Sequence, residues 1–375
     1  MYVIDSLTQG GAETSLAAMA PGLVGRGVAL DVVALTSRPG YQDALERAGA
    51  TVIELSGSRL TWWRQIRTLA RERRPDLVHT TLFEADLAGR VGARLARTPV
   101  VSTLANDAYG AAHRAEFPHR RAKLLAAQAS DAVTARLTTR LHAVSGHVAD
   151  TMAHRLRYPR DRIHVIPRGR DPEALGWRAP ERRDRARGQL GIAPGTPLVI
   201  ALARQERQKG LDVLIDAVPH VLDDIPSARF VVAGKQGNAT ASLERQMAAI
   251  DRGDALTFLG VRDDVADLLC AADLFVLPSR REGLGGALLE AMALECPAVV
   301  SDIPPVREVV DDSSAVFVPP NDPVALGTAL VHALSDPAGA QTMAVAAHRR
   351  FLDEYTIGSV VDRMLAFYNE AASGS

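Results

Sequence analysis

Cysteine is nearly missing from this chain of 375 residues, which holds only Cys270 and Cys296. Two thiols without metal-ligand spacing make neither a metal motif nor a disulfide framework, so a reducing compartment, the cytoplasm, is expected. Long apolar runs are absent too, and nothing approaches the roughly 20 residues a membrane span needs. Met1 leads almost at once into a short apolar stretch without the basic and apolar regions of a signal peptide. A soluble, non-secreted protein with no transmembrane segment is the expectation. Charge of either sign is not in excess: Lys plus Arg number 43 and Asp plus Glu 44, a net charge of -1. No overall field draws nucleic acid or anionic lipid, and any basic site has to be local. The triplet Asp-x-Asp occurs nowhere. The pairs Asp223-Asp224, Asp263-Asp264 and Asp311-Asp312 read as loops or helix caps rather than as metal ligands.

What is present is an ordinary globular composition, 47% hydrophobic and 23% charged, in a chain long enough for two domains with a core each. Apolar strands alternate with amphipathic helices through the first half: Tyr2 to Ile4, Ala29 to Leu35, Thr51 to Leu55, Leu77 to His79, Val100 to Thr103, Arg140 to Val144 and Ile163 to Ile166. A second alternation follows at Leu198 to Ala203, Arg229 to Ala233, Leu256 to Leu259, Leu274 to Leu277, Ala298 to Val300 and Ala315 to Val318. Each predicts a parallel α/β sheet. Between them, Arg178 to Arg187 holds five arginines flanked by Gly176, Pro180 and Pro194-Gly195, which reads as a solvated interdomain connection. The expected organisation is an N-terminal domain over 1–177, a connection over 178–195, a second domain over 196–355 and a C-terminal helical segment over 356–375.

The densest chemistry lies between Leu274 and Val300. The apolar run Leu274-Phe275-Val276-Leu277 predicts a strand buried on both faces, stopped by Pro278-Ser279. Glu282 follows in a loop, then Gly283, Leu284, Gly285 and Gly286, then a helix over Ala287 to Leu294 that contains Glu290. A glycine-rich turn feeding a helix N-terminus offers unpaired N–H groups and a positive dipole end, which suit a phosphate. A carboxylate eight residues on suits sugar hydroxyls, and phosphate beside polyol is the chemistry of a nucleotide sugar. A second loop leaves strand Leu198 to Ala203 with Arg204 and, five residues later, Lys209-Gly210 before a helix over Leu211 to Val218. A third, Gly10-Gly11-Ala12-Glu13, follows the first strand and suits phosphate, but it is neither Gly-x-Gly-x-x-Gly nor a P-loop, which argues against a dinucleotide site.

The run Glu282-Gly-Leu-Gly-Gly-Ala-Leu-Leu-Glu290-Ala-Met-Ala, followed by Cys296-Pro-Ala-Val-Val-Ser, resembles the Glu-x7-Glu signature of retaining glycosyltransferases of family 4. The resemblance extends from Gly10-Gly11 through Asp76-Leu-Val-His79, Val165-Ile-Pro-Arg-Gly169 and Arg204/Lys209. It implies a GT-B fold, two Rossmann-like parallel-sheet domains facing a central cleft, with the C-terminal tail crossing back to the first domain. It further implies transfer, with retention, from a UDP- or GDP-linked sugar to an unidentified acceptor, with no cofactor. Arg204 and Lys209 would then meet the departing diphosphate, where an Arg fork and a Lys point charge stabilise the transition state more than the ground state. Glu282 would hold sugar hydroxyls and Glu290 the ribose. Gly10, Gly11, Gly283, Leu284, Gly285 and Gly286 would border the donor, and the loops of Gly234-Lys235 and Arg262 would approach the base. Cationic groups at the leaving group make a divalent metal unnecessary.

The chain departs from that family at three places. Ala105 stands where many members present a His, Arg168 stands where Asn commonly precedes the loop glycine, and Ala203-Arg204 replaces Gly-Arg. Acceptor-side candidates are therefore sought nearby, at Asn106, Asp107 and His113, with His79 also in reach. Trp62-Trp63, at helical spacing with Ile66 and Leu69, reads as packing. Alternative readings are a nucleotide-sugar epimerase of similar fold and a catalytically weak nucleotide-sugar-binding subunit.

Overall fold

The computed structural model describes residues 1–8, 10–38, 40–110, 113–114, 120–250 and 253–373. Its contacts divide the chain into two compact units, Met1–Gly169 with Ile357–Ser375, and Arg170–Thr356. The first unit holds a parallel sheet of β1 (Tyr2–Ile4), β2 (Asp31–Ala34), β3 (Thr51–Glu54), β4 (Val78–Thr81), β5 (Val100–Leu104), β6 (Arg140–Ala143) and β7 (Ile163–Val165), in the order β3-β2-β1-β4-β5-β6-β7. The central strands are buried on both faces because helices cover both; β1 is an apolar run, whereas β4 and β5 bury the polar side chains of His79, Thr80, Thr81 and Ser102. Val3, Val33, Trp62, Ile66 and Val78 pack under one face, so Trp62 is core as expected. On the other face the C-terminal helix Ile357–Ala372 lies along the helix Gly11–Gly25, joining Val360, Val361, Met364 and Phe367 to Met19, Leu23, Val101 and Ile166. A Cβ on Gly22 would stand 2.9 Å from Val361, so this glycine sets how closely the two helices approach.

Two polar networks run through that unit. Arg90 is wholly buried, with Nη1 2.6 Å from Asp131, Nη2 3.3 Å from Asp86, and Nε donating to Ser102 Oγ at 2.8 Å. Tyr109 donates its hydroxyl to the other oxygen of Asp131 at 2.9 Å. One guanidinium faces two carboxylates here, and the excess negative charge is relieved at Asp86, whose carboxyl burial pushes up to about 7. The second network starts at His142 Nε2, which meets the carbonyl of Ile166 at 2.7 Å and so carries the ring proton. Its Nδ1 then accepts from Thr103 Oγ1 at 2.9 Å, Thr103 accepts from His79 Nε2 at 2.6 Å, and His79 Nδ1 accepts from Tyr368 at 2.6 Å. Two neutral imidazoles thus tie the returning helix to β4, β5 and β6. Burial pushes His142 down to about 4 and His79 well below its ordinary value, in keeping with that proton count.

The second unit repeats the architecture with β8 (Leu198–Leu202), β9 (Arg229–Ala233), β10 (Leu256–Gly260), β11 (Leu274–Leu277), β12 (Ala298–Ser301) and β13 (Val316–Val318), all parallel in the order β10-β9-β8-β11-β12-β13. Its core gathers Val199, Leu214, Val218, Phe230, Leu274, Val299 and Leu330.

The arginine-rich stretch differs from expectation. Residues 178–195 belong to the second unit, which begins already at Arg170. A helix, Pro180–Gln189, packs on the helix Val265–Ala271, and its arginines, with Arg178 just before it, meet that helix's carbonyl end. Arg178 donates to Ala272 O at 2.6 Å and to Glu295 O at 2.9 Å. Arg183 reaches Ala271 O, Ala272 O and Asp273, while Arg187 reaches Ala271 O at 3.0 Å and Arg182 pairs with Asp267 at 2.5 Å. A helix C-terminus leaves carbonyls without partners, and cations satisfy both those groups and the dipole. Only Arg185 of the five is solvated.

Among the described residues no helix is long and apolar enough to cross a membrane.

Candidate functional site

In the second unit the strand order reverses between β8 and β11, where an open parallel sheet leaves a crevice at the carboxyl ends of its strands. The Arg204–Lys209 loop follows β8 and the Ser279–Gly286 loop follows β11, so the two richest motifs end on neighbouring strands. They are interlocked. Gly210 has φ +64° and a Cβ there would stand 2.0 Å from Pro278 O, so only glycine satisfies both the turn and the approach. Arg280 forks onto Asp212 at 2.7 and 2.6 Å, fastening the second loop to the helix that follows the first, Leu211–Asp224.

Within this crevice Lys209 Nζ lies 2.7 Å from Glu282 Oε1, and Ser279 Oγ donates to the same oxygen at 2.7 Å. Glu282 is 8% exposed, so its charge is matched locally instead of by water. Both bonds end on Oε1, which leaves Oε2 to accept from a ligand hydroxyl. Arg204 differs: its side chain is 55% exposed and its nearest carboxylate, Glu206, is 4.0 Å away. It is the more available cation of the two.

Leu284 is buried, and Gly285, with φ +96°, turns the chain into the helix Gly286–Ala293. Glu290 on that helix is held by Arg170, whose Nε lies 2.7 Å from Glu290 Oε1. Sequence reasoning missed Arg170. The only signal was Gly286, where a Cβ would stand 2.5 Å from Arg170 Nη2. Farther along the sheet, a Cβ on Gly234 would stand 2.0 Å from Ala203 O, which packs the loop after β9 onto the one after β8 and leaves Lys235 exposed. Arg262 forks onto Asp264 at 2.7 and 2.5 Å, so a base would compete with that pair for the guanidinium.

The first unit carries its own hollow, about 570 Å³, at the carboxyl ends of β1, β4 and β5, again where strand order reverses. Asn106, His113 and Ala105 line it. His113 Nδ1 accepts from the N–H of Tyr109 at 3.1 Å. Asp107 does not line it: it is buried, with Arg155 donating to its carbonyl at 2.6 Å. His79 is likewise committed to the imidazole network. Asp5, also unforeseen, ends β1 at this hollow and accepts from the N–H of Ala85 at 2.7 Å, while burial pushes its carboxyl up to about 6. A polar residue directly after a buried strand was its sequence signal. Gly10 and Gly11 precede and open the helix Gly11–Gly25, and Arg168 lies so close that a Cβ on Gly11 would be 2.5 Å from its Nη1. Among the described residues no three imidazoles, thiols or carboxylates converge as a metal site.

Two parallel-sheet Rossmann-like units of this kind define a GT-B fold. Family models agree, glycosyltransferase family 4 over residues 9–174 and glycosyl transferases group 1 over residues 196–336. The chain is 30% identical over 301 residues to a D-inositol 3-phosphate glycosyltransferase of Xylanimonas cellulosilytica, covering 74% of this chain and 68% of the relative. It is 28% identical over 356 residues to the 2-deoxystreptamine N-acetyl-D-glucosaminyltransferase of Streptomyces fradiae, covering 89% and 82%. Among solved structures, Anabaena HepE in complex with UDP-glucose superposes with a TM-score of 0.85 at 20% identity, covering 99% of this chain and 100% of that one. The chain belongs to the family 4 glycosyltransferases and uses a nucleotide sugar.

Proposed function

We propose that this enzyme is a retaining, metal-independent hexosyltransferase acting on a UDP- or GDP-linked sugar. The observation that carries the proposal is the Lys209–Glu282 pair at 2.7 Å beside the exposed Arg204, where the strand order reverses. In the proposed step the bond from the sugar's anomeric carbon to the diphosphate oxygen breaks, its electron pair leaving on the diphosphate. The acceptor oxygen forms its bond on the same face and passes its proton to the departing diphosphate. Arg204 and Lys209 meet the charge that grows on the leaving group, the place where electrostatic stabilisation counts most. Glu282 takes the sugar's hydroxyls through Oε2, and Glu290 takes the ribose.

For the acceptor, the first unit's 570 Å³ hollow fits a compact polyol. Two relatives act by name on D-inositol 3-phosphate and on 2-deoxystreptamine, which supports testing cyclitols first.

Calorimetric titration of UDP, GDP and ADP into wild type and Arg204→Ala tests the donor side. One nucleotide should bind selectively and lose roughly tenfold or more in the variant, the scale of a charge-assisted contact. Glu282→Ala should abolish transfer while nucleotide affinity holds or rises, because Lys209 is released toward the diphosphate. Equal loss of both would refute the sugar-binding role.

A further inference from the structure

Arg170 opens the second unit and is anchored at both ends. Its backbone N–H donates to Tyr355 O at 2.9 Å, in a bridge with Thr356, and its Nε holds Glu290 Oε1 at 2.7 Å. The residue is only 8% exposed, so the guanidinium stays where the packing puts it. Gly286 makes room: a Cβ there would stand 2.5 Å from Nη2. We propose that Arg170 is the positioning residue for ribose recognition, fixing the Glu290 carboxylate so that Oε2 faces the ribose hydroxyls. This rests on the reading of Glu290 as the ribose-binding group.

Two physical effects make the arginine necessary. A glutamate on a helix has several rotamers, and a charge-assisted bond from a fixed fork selects one, which lowers the ordering cost when the ribose arrives. The second effect is electrostatic. A carboxylate placed near a diphosphate repels it unless a cation accompanies it. Both glutamates of the motif have that companion, Lys209 for Glu282 and Arg170 for Glu290, and Arg204 remains the more available cation for phosphate.

The test is the preference for ribose over deoxyribose, which general loosening of the fold does not move. UDP, GDP and ADP, and their 2′-deoxy and 3′-deoxy forms, are titrated into wild type, Glu290→Gln, Arg170→Met and Arg170→Lys, with melting temperatures alongside. Wild type should favour the tightest-binding ribonucleotide over one of its deoxy forms by roughly tenfold, the scale of a hydrogen bond to a charged group. Arg170→Met should reduce that preference to about twofold or less, and Arg170→Lys, which keeps the charge without the fork, should recover part of it. If Glu290→Gln leaves the wild-type preference intact, the ribose role of Glu290 fails and the proposal with it. If Glu290→Gln abolishes the preference but Arg170→Met retains it, the positioning role alone is overturned. Should Arg170→Met not fold, Gly286→Ala displaces the guanidinium with the arginine retained, and an unchanged preference there overturns the proposal equally.

Discussion

Lys209 and Glu282 are 18% and 7% exposed at their side chains, which makes the pair expensive to break on one side only. Lys209→Met should destabilise the protein by about 3 kcal/mol in urea unfolding, because a carboxylate is left buried beside one hydroxyl. Adding Glu282→Gln should recover most of that loss; a cycle without coupling would show the pair to be incidental. His142 gives a pH-dependent counterpart. Its ring sits at about 4, whereas an unfolded chain binds the proton near the ordinary value. Between those values the unfolded state holds more protons, so this contribution to stability is intact above the ordinary value and lost as pH falls toward 4. Asp5 and Asp86, pushed up to about 6 and about 7 by burial, act in the opposite sense, since there the folded state holds the extra proton. The total curve mixes the two signs, so the readable quantity is a difference. The stability gap between wild type and His142→Gln should shrink by about 2 kcal/mol from pH 7 to pH 5. A constant gap would mean that the folded ring binds its proton as the unfolded one does, and a gap that widens toward pH 5 would mean that the fold holds it protonated.

At the scale of elements, the strands were legible because a parallel sheet covered on both faces demands uninterrupted apolar runs, and Leu274 to Leu277 or Leu198 to Ala203 are hard to read otherwise. The loops were legible only as lists of residues. That Lys209 answers Glu282 depends on β8 and β11 being neighbours, which strand order decides and local sequence does not. The pairing of Arg170 with Glu290 joins residues 120 positions apart. The arginines of 178–195 looked solvated because charge composition is blind to an uncapped helix end arriving from elsewhere in the chain. Gly210 shows how tightly such an arrangement binds its parts. Its positive φ and the carbonyl of Pro278 at 2.0 Å from a would-be Cβ mean that Gly210→Ala must part the two loops. The variant should melt lower and lose both nucleotide binding and transfer, whereas a surface change such as Gly188→Ala, where nothing lies within 4 Å, should do neither. Retained nucleotide affinity in Gly210→Ala would show that the loops bind independently.

The whole molecule divides unevenly along the sequence. The second unit is one uninterrupted segment, Arg170–Thr356, and its ends meet: the N–H of Arg170 donates to Tyr355 O at 2.9 Å. Its core is its own, and a segment with adjoining ends and a private core is what folds in isolation. The first unit is closed only by the returning helix Ile357–Ala372, without which Met19, Leu23, Val101 and Ile166 lose their cover and His79 loses the hydroxyl of Tyr368. Exposing that much apolar surface and orphaning a buried ring nitrogen both act against the fold. Expressed alone, residues 170–356 should therefore unfold cooperatively by calorimetry and bind the nucleotide that wild type selects, within about tenfold of its affinity, a gap of about 1.4 kcal/mol. Residues 1–169 alone should show no cooperative transition until the peptide of residues 357–372 is supplied, and the Tyr368→Phe peptide should restore it less well. A cooperative 1–169 without the peptide would place the closing energy of the first unit in its sheet rather than in the helix that returns to it.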